Sequence, residues 1–597
     1  MMIHRISFVA CIVAGLVASA AFASQPNVVV FLADDAGWGD YSHNGNTQVS
    51  TPNIDSIARD GVTLDRFYVC PVCAPTRAEF LTGRYHSRMG VYGVSTGQER
   101  MNLDEKTIAD AFKASGYATG AFGKWHNGSQ WPYHPMARGF DEYLGYTSGH
   151  WGEYFDPPLE HNGKPIREQG YIVDICTDYA IDFIDRNHKQ PFFCYVPFTT
   201  PHSPWAVPEE DWVRFKDKPI TQLGSMPKQE DIDQTRCALA MLENQDRNVG
   251  RVLDRLKAMN VADDTIVLYF SDNGPNSWRF NGGMKGRKGS TDEGGIRSTC
   301  FIRWNKNLPA NATMTNIAGA IDLAPTLTSL AGVSMVSEKP IDGINLSPWL
   351  RQEKTEVIDR TIFTTWANYV SARTQTHRLD QNGKLFDMVN DPGQASPLAE
   401  NSSELRESLI GAVARWRSDV QLSDTTQDKK VNRGRSVDPR LIPVGYREFP
   451  RTWLPARDGK PKGTVQRSSS APNSSYFVNW KATTDELSWD IDVHTAGQYE
   501  VAIDYTCAES DAGSLIEVSF KETKLQGKVM PAWDPPLYAN QDTLPRPPAE
   551  SPMKEFRTLK LGTVSLGKGS GPLIIRAKKI AGNEVMHLRA ITLTLVE

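Results

Sequence analysis

Asn27-Val28-Val29-Val30-Phe31-Leu32, with Asp34-Asp35 following after Ala33, decides how the chain is read. The run is apolar without polar alternation, as a strand covered on both faces requires. The pattern returns three times. Tyr117 to Phe122, a weak strand, runs into Gly123-Lys124-Trp125-His126; Phe192 to Val196 leads to Thr200-Pro201-His202; Thr265 to Phe270 is followed by Asp272-Asn273-Gly274. Helical segments lie between them: one opened by Thr51-Pro52 and stopped by Gly61, one capped by Thr107, one carrying Ile172, Ile175, Tyr179 and Phe183, and one from about Gln234 to Met259. Strand-helix alternation predicts an α/β fold with a largely parallel sheet covered on both faces. In such folds ligands bind outside the carboxyl ends of the strands, so these side chains should gather on one edge.

Their chemistry is consistent with one site. Asp34, Asp35, Asp272 and Asn273 are hard oxygen ligands that suit Ca²⁺ or Mg²⁺ rather than Zn²⁺. Asp34-Asp35 alone would serve equally as turn or cap residues. The second polar pair, after another strand, is what points to a cation. Lys124 or His126 alone would be an ordinary polar side chain, and the glycine-rich Gly286–Arg297 segment alone a surface turn.

Cys73-Ala74-Pro75-Thr76-Arg77, continuing to Gly83-Arg84, reads as a short helix with proline in its first turn and a glycine stop. Cys73 then sits at a helix N-terminus, where N–H groups and the dipole favour anions and acidify a thiol. Arg77 adds a cation one turn on. Cys70-x-x-Cys73 is also open to reading as a thiol pair or half a zinc site, although no second C-x-x-C completes the latter.

C-x-P-x-R followed by L-T-G-R resembles the signature of the formylglycine-dependent sulfatases, arylsulfatase-like members of the alkaline-phosphatase superfamily. Asp34-Asp35, Gly123 to His126, Pro201-His202-Ser203-Pro204, Asp272-Asn273-Gly274 and Lys288 to Arg297 match further motifs in the family order. The resemblance extends over roughly Ser24 to Val420. It implies that a maturation enzyme oxidises Cys73 to Cα-formylglycine (3-oxoalanine), whose hydrate is the nucleophile. It implies Ca²⁺, in preference to Mg²⁺, on Asp34, Asp35, Asp272, Asn273 and converted Cys73. Arg77 would hold the hydrate, with Lys124 and Lys288 clamping sulfate. His202 or Lys288 would protonate the departing alcohol, and His126 would take the proton whose loss expels sulfate. Two departures stand out. Thr76 replaces the usual serine but keeps a hydroxyl, and Asn127 replaces a common leucine, which would alter the substrate side.

The remaining sequence sets the context. A chain of 597 residues exceeds one compact domain, and a net charge of -5 leaves no electrostatic footprint for nucleic acid. His4-Arg5, the apolar Ile6–Phe22 run and Ala21-Phe22-Ala23 form a secretory signal over residues 1–23, which predicts an exported protein, periplasmic or secreted. No later run is long enough to span a bilayer. The scattered cysteines Cys70, Cys176, Cys194, Cys237, Cys300 and Cys507 read as buried apolar residues rather than a disulfide framework.

The catalytic core is expected over 24–350, a small α+β C-terminal subdomain and linker over 351–450, and an appended β-sandwich over 451–597. The sandwich reading rests on alternation at Leu487, Trp489, Ile491 and Val493 and again at Tyr499, Val501, Ile503 and Tyr505. It resembles carbohydrate-binding modules, with Trp533 and Tyr538 as stacking candidates. Trp131, Tyr133, Tyr143, Tyr146, Trp151 and Tyr154 are further candidates, and together they favour a sulfated carbohydrate as substrate. A phosphate or phosphonate monoester hydrolase, or a sulfoglycan-binding protein with unconverted Cys73, are the alternatives. The sequence is silent on oligomeric state.

Overall fold

The computed structural model describes residues 25–399, 403–422 and 437–596. The expected signal segment, residues 1–23, and most of the polar stretch from Gln421 to Arg435 lie outside the described residues.

Ten strands form the main sheet. Its centre is parallel and runs, in spatial order, Thr265–Ser271, Asn27–Ala33, Phe192–Pro197, Ala118–Lys124 and Glu142–Tyr146. Antiparallel strands finish both sides: Cys300–Arg303 pairs with Thr265–Ser271, and the hairpin Pro158–His161 and Lys164–Arg167 follows Glu142–Tyr146. The apolar runs are continuous because both faces are packed. Val29, Phe31, Val267 and Tyr269 enter one core with the helices Ile172–Asn187 and Ile232–Ala258. Val28, Val30, Leu32, Ile266, Leu268 and Phe270 enter the other, beneath Cys73–Thr82, Ile108–Ala114 and Leu323–Ala331.

The helix Cys73–Thr82 ends as its sequence requires, on Gly83 at φ 73° in the left-handed region. Every residue of it is buried, which has a pH consequence at Glu79. Burial pushes this carboxyl up to about 8, although the His86 backbone N–H donates to it at 3.2 Å. A carboxyl whose folded pKa lies above its unfolded one binds the extra proton in the folded state. Its contribution is complete below pH 4.5 and is lost as pH rises through about 8. Glu79→Gln should therefore lose less stability than the parent between pH 5 and pH 8 in urea unfolding. Equal pH slopes would contradict this assignment.

A four-stranded antiparallel sheet follows, from Ile362–Trp366 to Leu385–Asp387, and the helix Ser403–Asp419 packs on it through Trp416 and Leu409. Two further sheets then face each other as a sandwich. Its first strand is Ile442–Val444 and its last His587–Leu595. Leu487, Trp489, Ile491 and Val493 all point into its core at 0% exposure, and the residues between them face out.

Candidate active site

The four strand ends and the N-terminus of the Cys73 helix meet. Cys73 Sγ lies 3.3 Å from Asp34 Oδ1 and 3.9 Å from Asp35 Oδ1. The backbone N–H of Asp35 donates to Asp272 Oδ1 at 3.1 Å, and Asn273 Nδ2 donates to Asp35 Oδ1 at 2.9 Å. Asp35 adopts φ 68°, unusual for a non-glycine residue, as does His126 at φ 69°. Such backbone is held only where its surroundings over-determine it.

Three cations close the cluster. Lys124 Nζ lies 2.6 Å from Asp34 Oδ2, and Lys288 Nζ lies 2.6 and 2.8 Å from the two oxygens of Asp35. Arg77 donates to Asp272 Oδ2 from Nη2 at 2.8 Å and from Nε at 3.2 Å, and to the Lys124 carbonyl at 2.9 Å. The glycine-rich segment is thus a site loop rather than a surface turn, because it delivers Lys288. Side-chain exposure is 0% at Arg77 and Lys124 but 23% at Lys288 and 15% at His202, so the cluster opens to solvent on the side of the last two.

The electrostatics follow from burial and these contacts. Burial, with Asp34 beside it, pushes Asp272 up to about 6 against the pull of Arg77. Burial works the same way on Asp35, yet Lys288 and His202 override it and hold this carboxyl below its usual range. Lys288 stays protonated despite burial because Asp35 faces it. His202 is pushed down to about 3 by burial and by Lys288. Its Nδ1–H donates to the Ser203 carbonyl at 2.6 Å, and Nε2 lies 3.7 Å from Asp35 Oδ2. Of the two proton-donor candidates, Lys288 is the one that carries its proton at neutral pH.

The acidified thiol expected from the helix N-terminus is not found. Burial, then Asp272 and Asp34, raises the Cys73 pKa well above its ordinary value. Desolvation and two carboxylates outweigh the helix dipole. The seven described cysteines are free and buried.

His126 belongs to the next layer. Lys124 and Arg77 both act on its ring, and burial keeps it neutral. Nε2–H donates to the Val94 carbonyl at 2.8 Å, which leaves Nδ1 as the lone-pair atom; it is buried and has no hydrogen-bond partner among the described residues. That is the tautomer of a base. Gly149 has to be glycine here, because a Cβ there would lie 2.0 Å from His126 Nε2. Thr76 keeps the serine-like contact, its hydroxyl donating to the Asp272 carbonyl at 2.6 Å. Asn127 does not reach a substrate side. It is 0% exposed, and its amide donates to the Ala74 carbonyl in the first turn of the Cys73 helix.

The donor set fits a hard divalent cation. Asp34, Asp35, Asp272 and Asn273 offer oxygens only, Asp34 and Asp35 oxygens converge on Cys73 Sγ, and Asn273 Oδ1 is buried without a partner among the described residues. A buried oxygen acceptor without a donor has the chemistry of a cation ligand.

Three residues that the sequence reading missed come from outside the motifs. His150 Nδ1 lies 3.5 Å from His202 Nδ1, and its Nε2 lies 3.3 Å from Glu550 Oε2. Glu550 belongs to the C-terminal region and also accepts from the Ser203 hydroxyl at 2.5 Å. Asn473, from the same region, donates at 3.2 Å to the Val94 carbonyl that holds His126. Neither His150 nor Glu550 lies in a recognisable motif. Most of the aromatic candidates are packing residues: Tyr133, Tyr143, Tyr146 and Tyr154 are buried, and Trp131 stacks on Phe449 at 5.6 Å. Trp533 and Tyr538 are tied to Glu555 and Arg167 by hydrogen bonds.

Comparison with known proteins agrees with this geometry. The Sulfatase family model matches residues 26–333. N-acetylgalactosamine-6-sulfatase of Homo sapiens is 31% identical over 456 residues, covering 64% of this chain and 83% of that protein. Arylsulfatase G of Rattus norvegicus is 28% identical, covering 70% of this chain and 91% of that protein. The crystal structure of Ps i-CgsB in complex with k-i-k-neocarrahexaose superposes with a TM-score of 0.62 at 30% identity, covering 68% of this chain and 96% of that one.

Proposed function

This chain belongs to the sulfatase family, within the alkaline-phosphatase-like superfamily, and is a sulfuric ester hydrolase; from that premise we propose that it is an exported enzyme removing sulfate from O-sulfated saccharides. The observation that carries the reading is the shell of Lys124, Lys288 and Arg77 gathered with Asp34, Asp35 and Asp272 around the Cys73 side chain. Saccharide chemistry is supported by the relative named N-acetylgalactosamine-6-sulfatase and by the neocarrahexaose complex of Ps i-CgsB.

The finer chemistry is part of the proposal. Cys73 is converted to Cα-formylglycine, and because the side chain is 2% exposed, a formylglycine-generating enzyme must reach it before the chain folds. Asp34, Asp35, Asp272, Asn273 and converted Cys73 hold Ca²⁺, which when bound supplies a Lewis acid beside the nucleophile. Arg77 fixes Asp272 and the Lys124 backbone, so the helix end and two strand ends move as one body. Lys124 and Lys288 are the charges placed to receive sulfate oxygens. Lys288, protonated and solvent-facing, is placed to hydrogen-bond the departing oxygen. His126 Nδ1 is the unprotonated, desolvated base.

Glu550 acts through other groups and is a positioning residue. Burial raises its carboxyl, but His150 and the Ser203 hydroxyl bring it down to about 2, so it is a fixed anion bracing His150 and the His202 loop. Glu550→Ala should lower kcat by about tenfold or more through misplacement of these groups, while Glu550→Gln, which keeps one hydrogen bond, should recover part of it. Unchanged kcat in both variants would remove Glu550 from the site.

Sulfate release, measured by ion chromatography on oligosaccharides from chondroitin sulfate, heparan sulfate and carrageenan, tests the reading. Release from at least one of them is expected. Cleavage of 4-methylumbelliferyl sulfate with no release from any saccharide would sink the carbohydrate reading.

A further inference from the structure

A cleft of about 400 Å³ lies where the catalytic domain meets the β-sandwich, within the roughly 300–1,000 Å³ span of small-ligand sites. One wall is an outward sheet face of the sandwich. On the strand Arg451–Pro455, Thr452 and Leu454 point inward and are buried, so Arg451 and Trp453 project outward into the cleft. Arg589 projects the same way from His587–Leu595, between buried Leu588 and Ala590. The opposite wall is Trp151 and the hairpin Pro158–His161 and Lys164–Arg167 of the catalytic sheet. Trp151 stacks on Tyr146 at 5.1 Å, and Tyr146 is in register with Lys124 on the neighbouring strand. The cleft thus begins one strand away from the sulfate-binding lysine.

Its lining lacks partners of a particular kind. The guanidinium of Arg589 is anchored by Glu153 at 3.3 Å and lies 5.6 Å from the Trp151 ring and 5.7 Å from that of Phe556, which builds a flat cationic and aromatic platform; the unpartnered groups lie beside it. The indole N–H of Trp151 is buried and has no acceptor among the described residues. Arg451 makes no side-chain hydrogen bond or ion pair among the described residues, although its field lowers the pKa of Glu160. The carboxylates Glu160 and Asp504 in the lining are already engaged, the first by His134 and the second by Thr558 at 2.7 Å and Trp453 at 3.4 Å. Glu555 remains as an acceptor for hydroxyl groups. Aromatic faces take the C–H faces of sugar rings, and guanidinium forks take sulfate oxygens two at a time.

We propose that this interdomain cleft binds a further stretch of a sulfated oligosaccharide, beyond the sugar being desulfated. The sandwich then contributes half of an extended saccharide site, and its outward sheet face, rather than Trp533 or Tyr538, carries the recognition. The proposal rests on the saccharide reading above.

The test is the double variant Arg451→Gln with Trp453→Ala, assayed in the full chain on the sulfated hexasaccharides and disaccharides that the parent cleaves, and on 4-methylumbelliferyl sulfate. The KM for hexasaccharides should rise about tenfold or more with kcat nearly unchanged, while disaccharide and small-ester kinetics stay at parental values. A merely structural role would move all three together. If the double variant does not fold, Arg451→Gln alone, which loses no internal partner, should still raise the hexasaccharide KM. Hexasaccharide KM values within about twofold of the parent in a folded variant would overturn the cleft alone. A parent that cleaves the small ester and no saccharide would overturn the saccharide reading, and the cleft with it.

Discussion

Cys73→Ala is expected to stop sulfate release while leaving the fold in place. The side chain stands 3.3 Å from Asp34 at the meeting point of four strand ends, where the proposed mechanism places the nucleophile. Loss of the nucleophile should lower kcat by on the order of 10⁴-fold or more, because the remaining charges can bind sulfate but have nothing to accept it. Stability in the absence of cation should change by no more than about 1 kcal/mol, since only a small side chain is removed and the ion pairs of Asp34, Asp35 and Asp272 stay in place. Initial rates on a sulfate ester and urea unfolding measure the two effects. Retained turnover would remove Cys73 from the mechanism.

Asp34→Asn should have the largest effect on stability in the site, and Asp35→Asn a smaller one. Asp34 is the partner of Lys124 at 2.6 Å, and both side chains are at most 1% exposed. Removing one member of a buried ion pair strands the other, at a cost of about 3–5 kcal/mol. Lys288, the partner of Asp35, is 23% exposed at its side chain and can turn towards water, so its loss should cost about 1–2 kcal/mol. Denaturant unfolding in the presence of a chelator compares the two without any cation. Adding Ca²⁺ should then stabilise the parent by about 2.7 kcal/mol at one hundred times its dissociation constant, and stabilise neither variant to that extent. Mg²⁺ should act more weakly, because a set of several protein oxygens suits the larger cation, whereas Mg²⁺ gives up its waters reluctantly. A parent unaffected by either cation, or equal stability of the two variants, would contradict the account of the carboxylates.

Much of this was legible in the sequence because double-sided burial writes itself as unbroken apolar runs. Val28 to Leu32 and Ile266 to Phe270 have no solvated face, so their ends, and the acids that follow, were located without any knowledge of the fold. Pro75 and Gly83 bounded the Cys73 helix for local reasons of backbone geometry. The period-two alternation of Leu487, Trp489, Ile491 and Val493 did the same for the sandwich.

What failed to be legible depends on tertiary surroundings. The sign of the Cys73 shift is set by desolvation and by Asp272, 199 positions away in the chain, not by its own helix. The tyrosines from Tyr133 to Tyr154 carry no mark that separates a packed ring from a presented one, and packing took most of them. Glu550 reaches Ser203 across a separation of 347 residues, and nothing local to either residue encodes that contact. Arg451 and Trp453 lie in a stretch read only as a boundary between subdomain and sandwich, which is why the cleft they line was invisible.

The most direct test of the central claim is mass spectrometry of the tryptic peptide Phe67–Arg77 from active protein. It should carry an aldehyde at position 73 in place of the CH₂–SH group, with Cys70 intact as a thiol. Active protein whose peptide holds an unmodified Cys73 thiol throughout would contradict it.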